Sequence, residues 1–109
     1  RKDYLTLHKS TDNQTPSHFH SLGKGKADRN MEPFVIEMKP EAEADRKLSS
    51  HEGEEFILVT QGKVLLRYGK DDSVLEAGDT AYYNSIVPHY VGAMDGEAQI
   101  YAVIYYPPY

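Results

Sequence analysis

The chain has 109 residues, of which 39% are hydrophobic, enough for one modest core and no second one. Its formal net charge of −5 argues against direct binding of nucleic acid, which requires clustered lysine and arginine. It has no cysteine, which excludes disulfides and thiolate metal sites and fits a cytoplasmic location, and no apolar run approaches the ~20 residues of a membrane span.

The first 30 residues are polar and weakly patterned, and they predict an N-terminal arm (residues 1–30) ahead of the main domain. Residues 4–7 alternate briefly and predict an edge strand, whereas residues 11–30 are rich in loop-forming types and predict mainly loop. His18 and His20 would share one face of a strand and could bind a metal. Incidental histidines on an exposed arm are the preferred interpretation.

The rest of the chain predicts short strands separated by turns, with no helical periodicity. The predicted strands cover residues 31–38, 56–60, 63–68, 73–76, 80–83, 89–94 and 98–106. Turns are expected at residues 61–62, 69–72 and 77–79 and, as a hairpin, at residues 95–96, and surface loops at residues 40–47 and 84–88. Strands that recur about every 8–12 residues indicate an antiparallel sandwich or barrel.

The run of residues 49–62 combines polar, metal-type side chains with an apolar, partly β-branched segment. On a straight strand His51 and Glu55 would lie roughly 13 Å apart, because a strand rises about 3.3 Å per residue. They can share a site only if the backbone folds back, and Gly53 tolerates the dihedrals of a bulge or tight turn. We therefore predict a sharp corner around Gly53, followed by a buried strand at residues 56–59.

Further candidates lie near the predicted strand ends. His89 follows Pro88, where it either points into a barrel mouth or is hydrogen-bonded at the rim. Tyr82 and Tyr83 lie on opposite faces of a strand, so one of them should face inward. Two sets of residues could form the inner face of the last strand: Tyr101, Val103 and Tyr105, or Ile100, Ala102 and Ile104.

Two segments resemble the two sequence motifs of the cupin superfamily. They are Ser49-x-His51-xxx-Glu55-x6-Gly62 and Gly78-Asp79-xxxx-Asn84-xxx-Pro88-His89. The resemblance implies an all-β double-stranded β-helix, the jelly-roll or cupin barrel, over residues 31–109. A pocket would then lie between its two sheets.

Cupins usually hold one divalent metal through three histidines and a glutamate. The resemblance places His51, Glu55 and His89 on three of these positions, whereas Ser49 stands where the fourth ligand is normally histidine. Losing one imidazole weakens a metal site, although two histidines and one carboxylate resemble the facial triad of non-haem iron enzymes. The implied cofactor is one divalent ion, Fe, Mn, Ni or Zn, and a site that no longer binds metal is the alternative.

A narrower resemblance concerns the C-terminal sensor cupins of bacterial XRE-type helix-turn-helix transcriptional regulators, and residues 30–35, 50–56 and 82–89 carry it. It implies a regulatory domain that binds a small-molecule effector while a separate domain reads DNA. The expected ligand-binding residues are His51, Glu55, His89, Phe34, Tyr82, Tyr83 and Tyr101, with Phe56 as a further pocket wall.

The alternative function is a metal-dependent cupin enzyme, a dioxygenase or isomerase, with the same three metal ligands and with Tyr82 or Tyr83 as acid or base. A third interpretation is a dimerisation module with a vestigial pocket. A homodimer is expected in every case, because a partner's N-terminal arm can cover the edges and apolar outer face of a jelly roll.

Overall fold

The computed structural model of the protein describes residues 17–23, 25–26 and 28–107. Within them the chain forms six strands: β1 (Ser17–Ser21), β2 (Met31–Met38), β3 (Glu54–Tyr68), β4 (Asp71–Glu76), β5 (Thr80–Asn84) and β6 (His89–Tyr105). A single 3-10 turn at Glu43–Asp45 is the only helical element there. No helix in the described part is long and apolar enough to cross a membrane. The predicted all-β jelly roll is confirmed.

The long strands β3 and β6 form an antiparallel ribbon that organises the fold. They pair from Glu54 opposite Tyr105 to Tyr68 opposite His89, with register shifts around Gln61. On the side of this irregularity that contains Glu54 and Tyr105, β5 pairs with β3, β2 pairs with β6, and β1 pairs with β2. On the other side, β4 pairs with β3. The ribbon thus has two halves, and the buried residues of both halves pack into one core.

The turns predicted at residues 61–62 and 95–96 are wrong, because both segments lie inside continuous strands. Gly62, Asp95 and Gly96 do have the positive φ values expected of turn residues, 79°, 65° and 141°. A Cβ at Gly62 would also lie 2.4 Å from the carbonyl oxygen of Glu97. A bulge and a hairpin turn demand the same residue types, so composition does not distinguish them.

At the N-terminal end, the loop predicted for residues 11–30 is wrong over Ser17–Ser21, which pair with β2 as an edge strand. The edge strand predicted at residues 4–7 lies outside the described residues. The strand at residues 31–38 is confirmed. The strand predicted at residues 80–83 extends by one residue to Asn84, so the loop that follows covers residues 85–88.

Nine buried side chains form the core: Ile36, Met38, Ile57, Val59, Val64, Ala93, Ala98, Ile100 and Ala102. In the last strand the inner set is therefore the one that contains Ile100 and Ala102, whereas Tyr101 is 45% exposed on the outer face. The core does not fill the space between the two halves of the sheet. A cavity of about 230 Å³ lies there.

Candidate metal-binding site

The corner predicted at Gly53 exists. Gly53 has φ 114°, and a Cβ at this position would lie 1.9 Å from the carbonyl oxygen of Tyr105, so the close approach requires glycine. Hydrogen bonds to Ser85 hold the corner on both sides: its carbonyl accepts from the His51 N–H at 3.0 Å, and its N–H donates to the Gly53 carbonyl at 2.9 Å. The fold-back brings His51 Nε2 to 2.7 Å from Glu55 Oε2.

His89 reaches the same point from the start of β6. Its backbone exchanges two hydrogen bonds with Ser49, at 2.8 and 2.9 Å, and its Nε2 lies 3.2 Å from Glu55 Oε2. One donor atom from each of His51, Glu55 and His89 thus lies within 4.8 Å of the others. Glu55 and His89 are buried, at 8% and 4% exposure, and His51 is half-buried at the edge of the site.

The second ring nitrogen of each histidine determines which atoms face Glu55. His51 Nδ1 lies 3.0 Å from the Glu52 carbonyl, and His89 Nδ1 lies 2.8 Å from the Val87 carbonyl. A carbonyl oxygen only accepts, so we assign the ring proton to Nδ1 in both residues. In the neutral rings both Nε2 lone pairs then point at a carboxylate oxygen. Either a proton on Nε2, which then donates to the carboxylate, or a metal ion can occupy the space between these atoms, and this donor set fits a divalent transition metal.

Tyr83 binds the Glu55 carboxylate oxygen that does not face the histidines. It lies directly opposite Glu55 in the pairing of β3 with β5, and its hydroxyl donates to Glu55 Oε1 at 2.7 Å. Burial, together with this hydrogen bond, raises the pKa of Tyr83 well above its usual value, so the phenol stays protonated and keeps donating. Glu55 Oε2 is thereby left for the two histidines.

The three donors face the cavity between the sheet halves. Its other described lining residues are one polar side chain, Ser49, and eight apolar ones: Phe19, Ile36, Met38, Ile57, Val91, Ile100, Ala102 and Ile104. No lysine or arginine is among these described lining residues. The site therefore combines three metal-type donor groups with a largely apolar cavity beside them.

The predicted ligand-binding residues separate into two groups. His51, Glu55 and His89 come together, whereas none of Phe34, Phe56, Tyr82, Tyr83 and Tyr101 lines the cavity. Their role in ligand binding stays a prediction: Phe34 packs against the core, whereas Phe56 and Tyr101 are exposed on the outer face. Tyr83 does face inward as one of the tyrosine pair, but it packs behind Glu55; Tyr82 is 70% exposed and hydrogen-bonded to Glu54.

The sequence had left Ile100, Ala102 and Ile104 open as one possible inner set. Ile36 and Met38 were missed as lining residues, although alternation along β2 singles them out as one face. Phe19 was missed because its strand was predicted as loop. The other histidine motif places His20 Nε2 3.4 Å from Glu37 Oε1. Among the described residues, no group of three metal-type donors includes His20.

Comparison with known proteins agrees with this architecture. The cupin domain family model matches residues 34–105 of the chain. No curated protein sequence matches it.

Several solved structures are similar in fold. A structure of FeII HppE is 25% identical, covers 96% of this chain and 58% of its own, and has a TM-score of 0.80. Hydroxypropylphosphonic acid epoxidase from S. wedmorenis is 24% identical over 96% of this chain and 57% of its own, with a TM-score of 0.78. An HTH_3 family transcriptional regulator from Vibrio cholerae is 22% identical over 91% of this chain and 56% of its own, with a TM-score of 0.73. This chain spans little more than half the length of these proteins.

Proposed function

The chain belongs to the cupin domain family, and we propose that it binds one divalent transition-metal ion through His51, Glu55 and His89 and a small organic molecule in the adjoining cavity. The observation that carries this proposal is the convergence of two imidazole nitrogens and one carboxylate oxygen within 4.8 Å. A metal bound there would supply Lewis-acid character and open positions for the head group of the small molecule.

The protein's own residues prepare this site. The carbonyls of Glu52 and Val87 hold the two rings with Nε2 toward the site, and Tyr83 holds Glu55. Such outer partners orient metal ligands and fix their tautomer. Mostly apolar side chains line the side of the site that a ligand would occupy.

The role that the arrangement supports best is effector sensing in a regulatory protein of the cytoplasm. Neither tyrosine proposed as an acid or base is free to transfer a proton, because Tyr83 donates to Glu55 and Tyr82 donates to Glu54 on the outer face. A cavity without a free proton-transfer group is suited to binding a molecule unchanged. The fold similarity to an HTH_3 family transcriptional regulator agrees with this role, in which another domain would read DNA.

A metal-dependent oxygenase is the second candidate, and the similarity to FeII HppE favours it. Such a reaction can rely on the metal rather than on a protein acid or base, so the engaged tyrosines do not count against it. An isomerase that needs Tyr82 or Tyr83 as acid or base is disfavoured, because both hydroxyls are engaged by carboxylates.

The metal proposal is tested by elemental mass spectrometry of untagged protein, as purified and after exposure to Fe(II), Mn(II), Ni(II) or Zn(II) under anaerobic conditions. We expect nearly one metal ion per chain, and a large loss in His51→Ala and in His89→Ala. His20→Gln is the matched control, because this histidine lies outside the donor set and should keep the metal. Wild-type protein that stays metal-free would contradict the proposal.

The two roles are separated by the fate of the small molecule. A sensor should be stabilised against heat by a ligand that is recovered unchanged, because a ligand that prefers the native state raises its stability. Oxygen consumption that requires both Fe(II) and the ligand, and that disappears in His51→Ala, would instead identify an enzyme.

We also propose that the protein is a homodimer. The outer face of the sheet exposes Tyr82, Phe56 and Tyr101, at 70%, 41% and 45%, on three adjoining strands. Contiguous exposed apolar side chains of this kind mark interaction surfaces. Analytical ultracentrifugation should show a dimer at micromolar concentration that Tyr101→Glu weakens; a monomeric wild type would contradict the proposal.

A further inference from the structure

We propose that the cavity selects an organic monoanion with an apolar body, such as a monocarboxylate, against a doubly charged phosphonate or phosphate. This inference rests on the proposed metal site and names the class of molecule that would bind beside it. It follows from the charge of the donor set and from the side chains that line the cavity.

The loaded site would carry one positive charge, because two neutral imidazoles and one carboxylate surround a divalent ion. A head group with one negative charge would neutralise it. A dianion would leave a negative charge in excess in a partly buried site, where an unpaired charge is costly.

Nothing else described around the cavity can balance that second charge. The described lining includes no lysine or arginine, and Ser49 is the only polar side chain in it besides the three metal-type donors. One hydroxyl can donate a single hydrogen bond to a head group, whereas recognition of a phosphonate relies on bidentate or multiple charged donors. The site thus lacks the usual means of holding a dianion.

The inner wall of the cavity favours an apolar body. Ile57, Ile100 and Ala102 are 1%, 2% and 4% exposed and offer only hydrocarbon surface to a ligand. A polar or charged tail placed there would lose its hydration without gaining a partner among these side chains. The ligand therefore has its charge at one end, at the metal beside Ser49.

This inference separates the chain from one of its structural neighbours. The epoxidase from S. wedmorenis is named for a phosphonic acid, but at 24% identity the likeness extends to the fold alone. The cavity of the present chain would disfavour a phosphonate even if both proteins hold a metal at the same place in the barrel.

The test compares three probes that share a phenyl ring, benzoate, phenylphosphonate and benzamide, at about pH 8, where the phosphonate is dianionic. Protein loaded with Co(II) is titrated with each, and binding is followed by the visible Co(II) absorption and by thermal stability. We expect benzoate to bind at least tenfold more tightly than either of the others. Equal or tighter binding of phenylphosphonate, or no spectral response to benzoate at millimolar concentration, would overturn the inference.

Metal stoichiometry is measured before the titrations, so the two proposals fail separately. Protein without bound Co(II) would refute the metal site, whereas loaded protein with the wrong order of probes would refute only the ligand class. Benzoate that stabilises the protein but leaves the Co(II) spectrum unchanged would also overturn the inference, since the head group would then not reach the metal.

A single substitution at the cavity rim tests directly whether the lack of a lysine or arginine in the described lining sets the preference. Phe19 lines the cavity from the edge strand β1 and is 48% exposed, so a longer polar side chain can be accommodated there. Phe19→Arg should reduce the preference for benzoate over phenylphosphonate at least tenfold, and Phe19→Leu should leave it unchanged. An unaltered preference in a folded, Co(II)-loaded Phe19→Arg protein would show that charge balance does not set the selectivity.

Discussion

Two clusters of ionisable side chains on opposite faces of the same sheet differ in how their charges and lone pairs are matched. On the outer face, Arg67 makes two hydrogen bonds to Asp72, at 2.8 and 3.0 Å, and one to Glu43 at 2.9 Å, while Arg46 binds the other oxygen of Glu43 at 2.7 Å. Each charge there meets an opposite charge at the surface. On the inner face, two ring nitrogens converge on the oxygen of a buried carboxylate.

This difference supports the proposal that the inner cluster serves binding. Exposed ion pairs contribute little to stability, and losing one costs little. Buried groups that face one another with lone pairs are unfavourable in the folded protein unless a proton or a metal ion lies between them. Tyr83 donates a hydrogen bond to Glu55 behind these groups, and this arrangement agrees with the proposed metal site.

Glu55→Gln should give the largest effect and should break the inner cluster as a metal site. The amide removes the charge, so we expect affinity for Co(II) or Zn(II) to fall by at least about 100-fold. Metal-free Glu55→Gln should nevertheless melt no lower than metal-free wild type, because the amide N–H₂ can donate to a histidine Nε2. Metal titration and thermal melts of both forms measure the two effects.

Glu54→Gln is the control for that change, since Glu54 adjoins Glu55 in sequence but contacts Tyr82 on the outer face. It should leave metal affinity unaltered. A strong loss of stability in metal-free Glu55→Gln would mean that the carboxylate is a structural group and that the contrast between the clusters is wrong.

Tyr83→Phe should have an intermediate effect, because it removes the partner of Glu55 but none of the proposed ligands. Loss of an outer-shell hydrogen bond of this kind typically lowers metal affinity about 10–100-fold. The free energy of unfolding of the metal-free protein should fall by about 1 kcal/mol, the net contribution of one hydrogen bond. Isothermal titration with Zn(II) and urea unfolding provide the two values.

Tyr82→Phe offers a matched comparison on the same strand, where the hydroxyl is exposed. We expect no change in metal affinity and a change in stability within about 0.5 kcal/mol. Equal effects of the two substitutions on metal binding would refute the role assigned to Tyr83.

Arg67→Met should have the smallest effect and a distinctive dependence on pH. Arg67 lowers the pKa of Asp72 and of Glu43 chiefly by hydrogen bonding, with a further contribution from the charge of Arg46. A lowered carboxyl pKa contributes stability above its unfolded value of about 4 and loses it as the pH falls through the folded value. The wild type should therefore melt a few degrees above Arg67→Met at about pH 7, and this difference should shrink as the pH falls below about 4 and vanish once both carboxyls are protonated.

Metal affinity at neutral pH should be the same in Arg67→Met and wild type, which separates the outer cluster from the inner one. A melting difference that persists at a pH low enough to protonate both carboxyls would assign the effect to packing of the Arg67 side chain rather than to its charge.

Local residue chemistry already specified much of the molecule. Short strand-forming runs bounded by turn residues predicted β2 and β5, and Gly53 predicted the corner that joins His51 to Glu55, because few other residues tolerate its dihedrals. The resemblance of two motifs to cupins then added His89. These inferences depend on backbone preferences and on residue types, both of which can be read along the chain.

Long-range pairing settled the rest. The same glycine and aspartate residues can close a hairpin or form a bulge, and only the pairing of β3 with β6 along their length makes residues 61–62 and 95–96 bulges. Aromatic and aliphatic side chains alternate along β6, and only packing between the sheet halves turns Ile100 inward and Tyr101 outward. The strand at Ser17–Ser21 exists because β2 offers it an edge. Burial, pairing and the direction of a lone pair depend on partners distant in the chain, which periodicity cannot identify.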